Sequence, residues 1–415
     1  MQDAVRSLLL GIGEDVHRQG LLDTPKRVAK ALIAMTEGYR QDSGRLLSQA
    51  LFDEPIIEAG SGGLVLVRDI DFACLSQESL LPFYGRAHIA YVPVNGVVLG
   101  LSKLARLTKL CAKQLQSQDS LARHVLHALQ TQLAPQGALV VVQARHLSYT
   151  ALQPPAQQAA AAASGCLQEN EQGSDLYCQQ LLGCVSSSRC DELAGASTGA
   201  AAAVVDGSSS SSNSMETAMM LLLAEAGVDV VSPAVQAAVR RHVLALLAAT
   251  AGYHQQLPAH LETSQLEEQQ HCQWVEHHVP FTSQCEHHML PFHGTVHVIY
   301  MLPHCRGSGS TQHQQRGALS EAEATRLVRC FTQRLQVQER ITHQVAGAVQ
   351  QLLQPLGVMV VISAAHMCMV ARGVENHAGS TSTRAAFGLF EQDTQLRCKV
   401  LRKLSQQQQQ QEAAA

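Results

Sequence analysis

Cys285, Glu286, His287 and His288 put one thiol and two imidazoles within four consecutive residues. At that spacing Cys285 and His288 can grip one ion from a single turn. That is half a site: a tetrahedral structural zinc needs two further protein ligands, and a catalytic one takes a single further ligand and leaves the last position to water. The remaining donor is sought in Val360–Gly373, which reads VVISAAHMCMVARG. There His366 and Cys368 stand two apart in a β-branched run, so a strand would turn both to one face. Cys285, His288 and Cys368 are therefore the candidate metal ligands.

Three other accounts fit the same residues. The chain holds 12 Cys and 20 His, so chance proximity is one, and burial of Cys as a small hydrophobe is another. A Cys–His nucleophilic pair is the third. A zinc finger fits less well, because its second ligand pair follows within about 12 to 20 residues and here the gap is several times longer.

The elements that must position these groups come twice. Gly38-Tyr39 returns as Gly252-Tyr253, Phe72 and Pro82-Phe83 as Phe281 and Pro291-Phe292, and Gly85, His88 and Tyr91 as Gly294, His297 and Tyr300. Further on, Arg106, Leu115, Gln118, Pro135, Gly137 and His146 match Arg326, Leu335, Gln338, Pro355, Gly357 and His366. Two copies of one domain are fused. The first is expected over 1–150 and the second over 215–400. Residues 151–214, rich in Ala, Gln, Ser and Gly, read as a mobile linker, and 401–415, with a Gln tract from Ser405, as a disordered tail. Pro303–Gly317 reads as a loop insertion in the second copy.

Each copy opens with helical periodicity. Thr24-Pro25 offers a capping hydroxyl and a Pro at the first helical position, with the helix running to Met35. Strand-like runs follow at Leu64–Arg68, Ala87–Pro93 and Val296–Met301. Two helices come next, Ser102–Gln116 and Ser120–Leu133 in the first copy, and then the strands Ala138–Ala144 and Val358–Ala364. This order predicts an α+β fold in which an antiparallel sheet is backed by helices on one face.

Composition narrows the function. A net charge of −4 gives no general attraction to nucleic acid or to an anionic membrane, so neither is expected as a partner, and an anionic ligand needs a local basic cluster. No apolar run reaches the ~20 residues of a membrane span. The Cys residues form no tight disulfide framework, no secretory h-region is present, and the N-terminal stretch opens as a helix rather than an Arg- and Ser-rich leader. A reducing compartment is expected.

Three separated blocks of the second copy resemble the GTP cyclohydrolase I family: Cys285-Glu286-His287-His288, Arg334–Arg340 (RLQVQER) and His366–Gly373 (HMCMVARG). The first copy resembles it through Gly20–Lys30 (GLLDTPKRVAK) and Leu99–Arg106 (LGLSKLAR). The tandem arrangement is similar to plant and algal members. The resemblance implies two tandem T-fold domains that close into a barrel on homo-oligomerisation, in the cytosol. It implies a zinc-dependent reaction in which the imidazole ring of GTP is opened, formate is released, and 7,8-dihydroneopterin triphosphate forms for pteridine and folate synthesis. Zinc lowers the pKa of a bound water for attack on C8, with His287 and His366 as proton donors and acceptors. The Glu339 carboxylate fits the adjacent N1–H and N2–H of guanine, Gln338 adds a bond to the ring, and Arg372 joins the substrate set. Read locally, Glu339 would be a surface carboxylate paired with Arg340.

For the triphosphate, Ser102 and Lys103 stand where a helix begins after Gly100, with Arg106 one turn on. Arg27 and Lys30 add a second basic group, on a stretch that otherwise reads as a solvated helix face. The two copies depart from the family pattern in complementary ways. In the first, the zinc-ligand turn reads Ser76-Gln77-Glu78-Ser79, Ser148 stands where Cys368 does, and Asp119-Ser120 replaces Glu-Arg. In the second, Ala322-Glu323 replaces Ser-Lys and leaves Arg326 alone, with Leu244 opposite Lys30. One composite site is therefore expected, with metal and base recognition from the second copy and phosphate binding from the first.

Overall fold

The structure is a computed structural model and describes residues 1–48, 51–53, 63–147, 157–167, 209–255, 257, 263–264, 273–302 and 317–414. In the first copy the order is α1 (Gln2–Gly11), α2 (Thr24–Met35), α3 (Ser43–Ser48), β1 (Leu51–Asp53), β2 (Val65–Ser76), β3 (Pro82–Val92), β4 (Val97–Leu99), α4 (Leu101–Ala112), β5 (Leu115–Gln116), α5 (Gln118–Leu133), β6 (Gly137–His146) and β7 (Gln157–Gly165). The second copy runs α6 (Ser209–Glu225), α7 (Pro233–Ala249), β8 (Thr263–Ser264), β9 (Gln273–Cys285), β10 (Pro291–Leu302), β11 (Ala318–Leu319), α8 (Glu321–Thr332), β12 (Leu335–Gln336), α9 (Gln338–Leu353), β13 (Gly357–His366), α10 (Met367–Val370), β14 (Thr381–Gly388), α11 (Leu389–Gln392) and α12 (Thr394–Ala414).

Each copy builds the same five-stranded sheet, in the orders β5-β2-β3-β6-β7 and β12-β9-β10-β13-β14. The long strands are antiparallel, as the sequence leads one to expect. The two-residue strands β5 and β12, too short to show a period of two, add a parallel edge to β2 and β9. In the first copy Phe72, Phe83, Ile89 and Tyr91 of the sheet bury against Leu104 and Leu107 of α4 and Leu121, Val125 and Leu129 of α5. Gly85 and Gly294 are required at the same place in the two sheets: a Cβ there would come within 1.9 Å of the carbonyl oxygens of Gln143 and Ser363 on the neighbouring strands.

Beyond the helix expected through Gln116, which ends at Ala112 before β5, and the linker expected through residue 214, which gives way to α6 at Ser209, four expectations change. Gln157–Gly165, inside the stretch read as a linker, is β7, paired antiparallel with β6. Its Ala run has little strand preference of its own, and the open edge of β6 supplies the hydrogen-bonding partner. Most of the remaining linker, like residues 303–316 of the loop insertion and Ser148, lies outside the described residues. The tail is the second change, since α12 continues through Ala414. Val400 and Leu404 of that helix bury against Ile299, Met359 and Val361, and a docked helix propagates through Gln at little cost. Third, α11 and α12 thereby cover the second face of this sheet, in addition to α8 and α9 on the first. Fourth, Thr24 does not cap α2: its hydroxyl donates to the Gly20 carbonyl at 3.4 Å, and the N-cap position is Asp23.

Compact units are drawn differently from repeats. One unit comprises Met1–Ser148, Pro155–Leu246 and Met367–His377, and the other Tyr149–Pro154, Leu247–His366 and Ala378–Ala415. In the first unit α6 lies along α1, the Met1 amino group reaches Glu225 at 3.2 Å, and Arg40 donates to the Glu225 carbonyl at 2.9 Å.

Candidate functional site

β9 ends at Cys285, where the chain makes a tight turn. The Cys285 N–H donates to the Leu290 carbonyl at 2.9 Å, the Met289 N–H returns to the Cys285 carbonyl at 2.8 Å, and Met289 takes φ +51°. The turn is tied to β12 by the Glu286 N–H, which donates to the Gln336 carbonyl at 3.0 Å. The Glu286 carboxylate is buried and receives both arms of the Arg340 guanidinium, at 2.7 and 3.2 Å. Arg340 is thus committed to Glu286. The local reading in which it pairs with Glu339 is overturned, and Glu339 stands exposed in the first turn of α9.

Cys368 does not continue the strand. β13 stops at His366, and Cys368 lies in α10, whose turn is closed by the Ala371 N–H on the Met367 carbonyl at 2.8 Å. The expectation that His366 and Cys368 share one strand face is therefore corrected: Met367 is fully buried and turns the chain out of the sheet. The helical turn still delivers the thiol, since one donor atom each from Cys285, His288 and Cys368 lies within 4.8 Å of the other two. Two thiols and an imidazole at that separation suit a tetrahedral zinc, with Zn–S about 2.3 Å and Zn–N about 2.0 Å. Among the proposed catalytic groups, His287 is half-exposed with Nε2 3.9 Å from Glu286.

His366 is fixed by contacts that sequence reasoning did not reach. Its ring stacks on Phe292 with centroids 4.6 Å apart, and its Nε2 lies 2.8 Å from Oε1 of Gln338. The Gln338 amide nitrogen donates to the carbonyls of Ile362 and Thr381 at 3.0 and 2.9 Å. Both amide protons are therefore spent, so Oε1 must accept, Nε2 of His366 must carry the proton, and its Nδ1 keeps the lone pair. The Gln338 side chain accordingly orients the His366 ring and ties it to two strands, with both of its amide protons donated to those strands. Burial lowers the pKa of His366, partly offset by Cys285 and Glu339. The first copy keeps the same device: His146 stacks on Phe83 and meets Gln118 Oε1 at 2.9 Å, while Gln118 donates to the carbonyls of Val142 and Gln158. The signal for it was the recurrence of Phe, Gln and His in both copies.

The helix starts differ in the way the phosphate reading needs. α4 follows Gly100 at its N-cap position, with no side-chain cap and no acidic residue in its first turn. Ser102 and Arg106 are exposed there and Lys103 is half-buried. α8, its counterpart, is capped by Ser320, which accepts from the Glu323 N–H, and carries Glu321 and Glu323 in its first turn. Arg326 is held by Glu323 at 2.8 Å. On α2, Arg27 pairs with Asp23 at 3.3 Å and Lys30 is exposed. Within the first compact unit, α4 also meets the segment that follows β13. Lys109 bonds Glu375 at 2.5 Å, and His377 lies against Tyr84 with centroids 6.0 Å apart. Half-buried Arg372 belongs to that segment.

The sequence is similar to known proteins along most of its length. The sequence profile of the family described as GTP cyclohydrolase I matches residues 1–180 and 215–405. The chain is 34% identical to GTP cyclohydrolase 1 of Arabidopsis thaliana over 436 residues, covering 97% of this chain and 90% of that protein. It is 31% identical to GTP cyclohydrolase 1 of Solanum lycopersicum over 97% of this chain and 91% of that protein. A GTP cyclohydrolase 1 of Gloeobacter violaceus is 50% identical over 147 residues, which is 35% of this chain and 66% of that protein.

Proposed function

The chain belongs to the GTP cyclohydrolase I family, and on that premise we propose that it converts GTP to 7,8-dihydroneopterin triphosphate and formate, the entry step of pteridine and folate synthesis. The observation that carries this reading is the convergence of Cys285, His288 and Cys368 within 4.8 Å, close in sequence to an oriented His366. These three residues would hold zinc. When bound, the ion supplies Lewis acidity for hydrolytic opening of the purine imidazole ring.

The chain's own residues supply the rest. Nδ1 of His366, left with its lone pair by the Gln338 contact, takes up and returns a proton. His287, beside the buried Glu286, is the second proton carrier. The Glu339 carboxylate, left unclaimed by Arg340, offers two acceptors to the N1–H and N2–H of guanine, which adenine cannot match. The uncapped start of α4, with Ser102, Lys103 and Arg106, receives the triphosphate, since the first N–H groups of a helix and its positive dipole end favour an anion. Arg372 adds a cation, and Arg27 and Lys30 complete the basic group. Arg326, neutralised by Glu323, contributes little. The Lys109–Glu375 pair supports a composite site, because it joins the helix with the phosphate residues to the segment that carries Cys368 and Arg372. Assembly as a homo-oligomer and a cytosolic location belong to the same reading. Among the described residues no helix is long and apolar enough to cross a membrane.

Zinc analysis of the full-length protein, combined with mass and fluorescence detection of the pterin formed from GTP, tests this. Wild type should carry zinc and release dihydroneopterin triphosphate, while Cys368→Ser should lose both. A zinc-loaded wild type that leaves GTP intact would make the protein a scaffold or regulatory subunit. A product that stops at the ring-opened formamide would assign a different reaction.

A further inference from the structure

A second group of metal-ligating side chains lies on β9 and β10, independent of the site above. His278 and His297 are direct partners in the antiparallel register, so their side chains leave the sheet on one face. Glu276, two residues before His278, shares that face. One donor atom from each of Glu276, His278 and His297 lies within 4.8 Å of the other two. The two rings meet edge to face with centroids 4.7 Å apart, and their Nδ1 atoms are 2.8 Å from each other. Oε1 of Glu276 is 3.1 Å from Nε2 of His278.

This cluster is not satisfied as a hydrogen-bond network. His297 is only 6% exposed, yet its Nε2 has no hydrogen-bond partner, and neither has Oε1 of Glu276, because its contact with His278 is not aligned as a hydrogen bond. Such a buried orphan costs about 1–3 kcal/mol, and an ion held between the two Nδ1 atoms would relieve that of Glu276 Oε1 while leaving that of His297 Nε2. Two ring nitrogens facing at 2.8 Å must share a proton or repel. A cation in place of that proton needs them only to open to about 3.3 Å, the edge of a tetrahedron with metal–nitrogen bonds of about 2.05 Å. The surroundings also favour a bound ion. Ile299, Met359 and Val361 of the same sheet face, with Val400 and Leu404 of α12, form an apolar cluster beside the group. His278 is exposed, which leaves an entry route.

We propose that Glu276, His278 and His297 form a second metal site, selective for a divalent transition cation such as Zn2+, Co2+ or Ni2+, with solvent completing the coordination. Two imidazoles and one carboxylate suit these ions and not Mg2+ or Ca2+, which favour all-oxygen shells. Burial and the neighbouring His278 push the His297 pKa down to about 4, so near neutral pH its ring is in the unprotonated form that ligates. Lys403 holds the other oxygen of Glu276 and limits the carboxylate to one bond. His278 lies seven residues before Cys285 on β9, about 23 Å along an extended strand, so the two sites are separate. In the first copy the corresponding residues are Val67, Asp69 and His88, and there the His88 ring instead accepts the Asp69 N–H at 3.2 Å.

Titration of metal-free full-length protein with Co2+ tests this site apart from the first, because a thiolate ligand gives a sulfur-to-cobalt charge-transfer band and a His/Glu site does not. Wild type should take up two equivalents per chain, one with the band and one without. His278→Ala, a change at an exposed position, should weaken the bandless equivalent at least about a hundredfold while keeping the band and GTP turnover. Cys285→Ser with Cys368→Ser should do the reverse. Uptake of a single, thiolate-type equivalent by wild type would overturn the proposal. So would a bandless equivalent that is undiminished in both His278→Ala and Glu276→Gln.

Discussion

Replacing Lys103 by Ala removes one cation from the uncapped first turn of α4 and leaves the backbone N–H groups of that turn in place. A hydrogen bond to a charged group contributes about 1.5–3 kcal/mol. Lys103 is half-buried, so part of its field is screened by water, and the lower end of that range applies. A loss of about 1.5–2 kcal/mol corresponds to a rise of roughly 10–30-fold in KM for GTP. Turnover at saturation should change by less than about threefold, since the reacting ring is remote from the triphosphate tail, and zinc content should stay the same. The control is Arg326→Ala, at the matching position of Arg106 in the second copy. Arg326 is already paired with Glu323 at 2.8 Å and is half-exposed, and such a surface pair is worth about 0–1 kcal/mol, so KM should move less than about twofold. Steady-state kinetics with the pterin fluorescence readout gives both numbers. If Lys103→Ala leaves KM unchanged while Arg326→Ala raises it tenfold, the assignment of phosphate binding to the first copy is refuted.

Gln338→Leu should lower stability by about 2–4 kcal/mol, because the Ile362 and Thr381 carbonyls lose their donor, and should cut kcat at least tenfold by releasing the His366 tautomer. Gln118→Leu in the first copy should cost similar stability with no loss of kcat per folded molecule, and equal kcat effects would deny Gln338 its orienting role. Arg340→Ala leaves the buried Glu286 carboxylate uncompensated. Removing a partner from a buried pair costs about 3–5 kcal/mol, reduced here to about 2–3 because Arg340 is two-fifths exposed. The urea midpoint should fall, and Arg340→Lys, which cannot bind with two arms, should restore only part of it. Acid should also destabilise the protein. Burial lowers the pKa of His88, His146 and His242 below their ordinary value near 6.5. The unfolded chain therefore binds more protons just below that pH, and stability is present above about 6.5 and lost as pH falls through the window beneath it. A urea midpoint at pH 5.5 equal to that at pH 7.5 would contradict the assignment.

Much of this was legible before any coordinates. The recurring Gly, Phe, Gln and His residues identify two copies of one domain, because each supports a contact any copy must make: Gly85 and Gly294 admit a neighbouring carbonyl, and Gln118 and Gln338 tie two strands to a histidine. The strands and long helices follow from periodicity, and the donors Cys285, His288 and Cys368 from their types and spacing. Partners were not legible, since a partner is chosen by whatever lies across space. Local sequence pairs Arg340 with its neighbour Glu339, and the fold gives it to Glu286, 54 positions away. Composition reads an Ala run and a Gln tract as mobile, and an open strand edge and an apolar sheet face make them β7 and α12. The family resemblance makes Gln338 a ligand for the base, and the Ile362 and Thr381 carbonyls take both protons of its side-chain amide. The sequence by itself determined which chemistry the chain can carry, through residue types and short-range periodicity. Only the tertiary structure decided which groups remain free to perform it, because hydrogen-bonding capacity is finite and is spent on neighbours that the order of residues does not reveal.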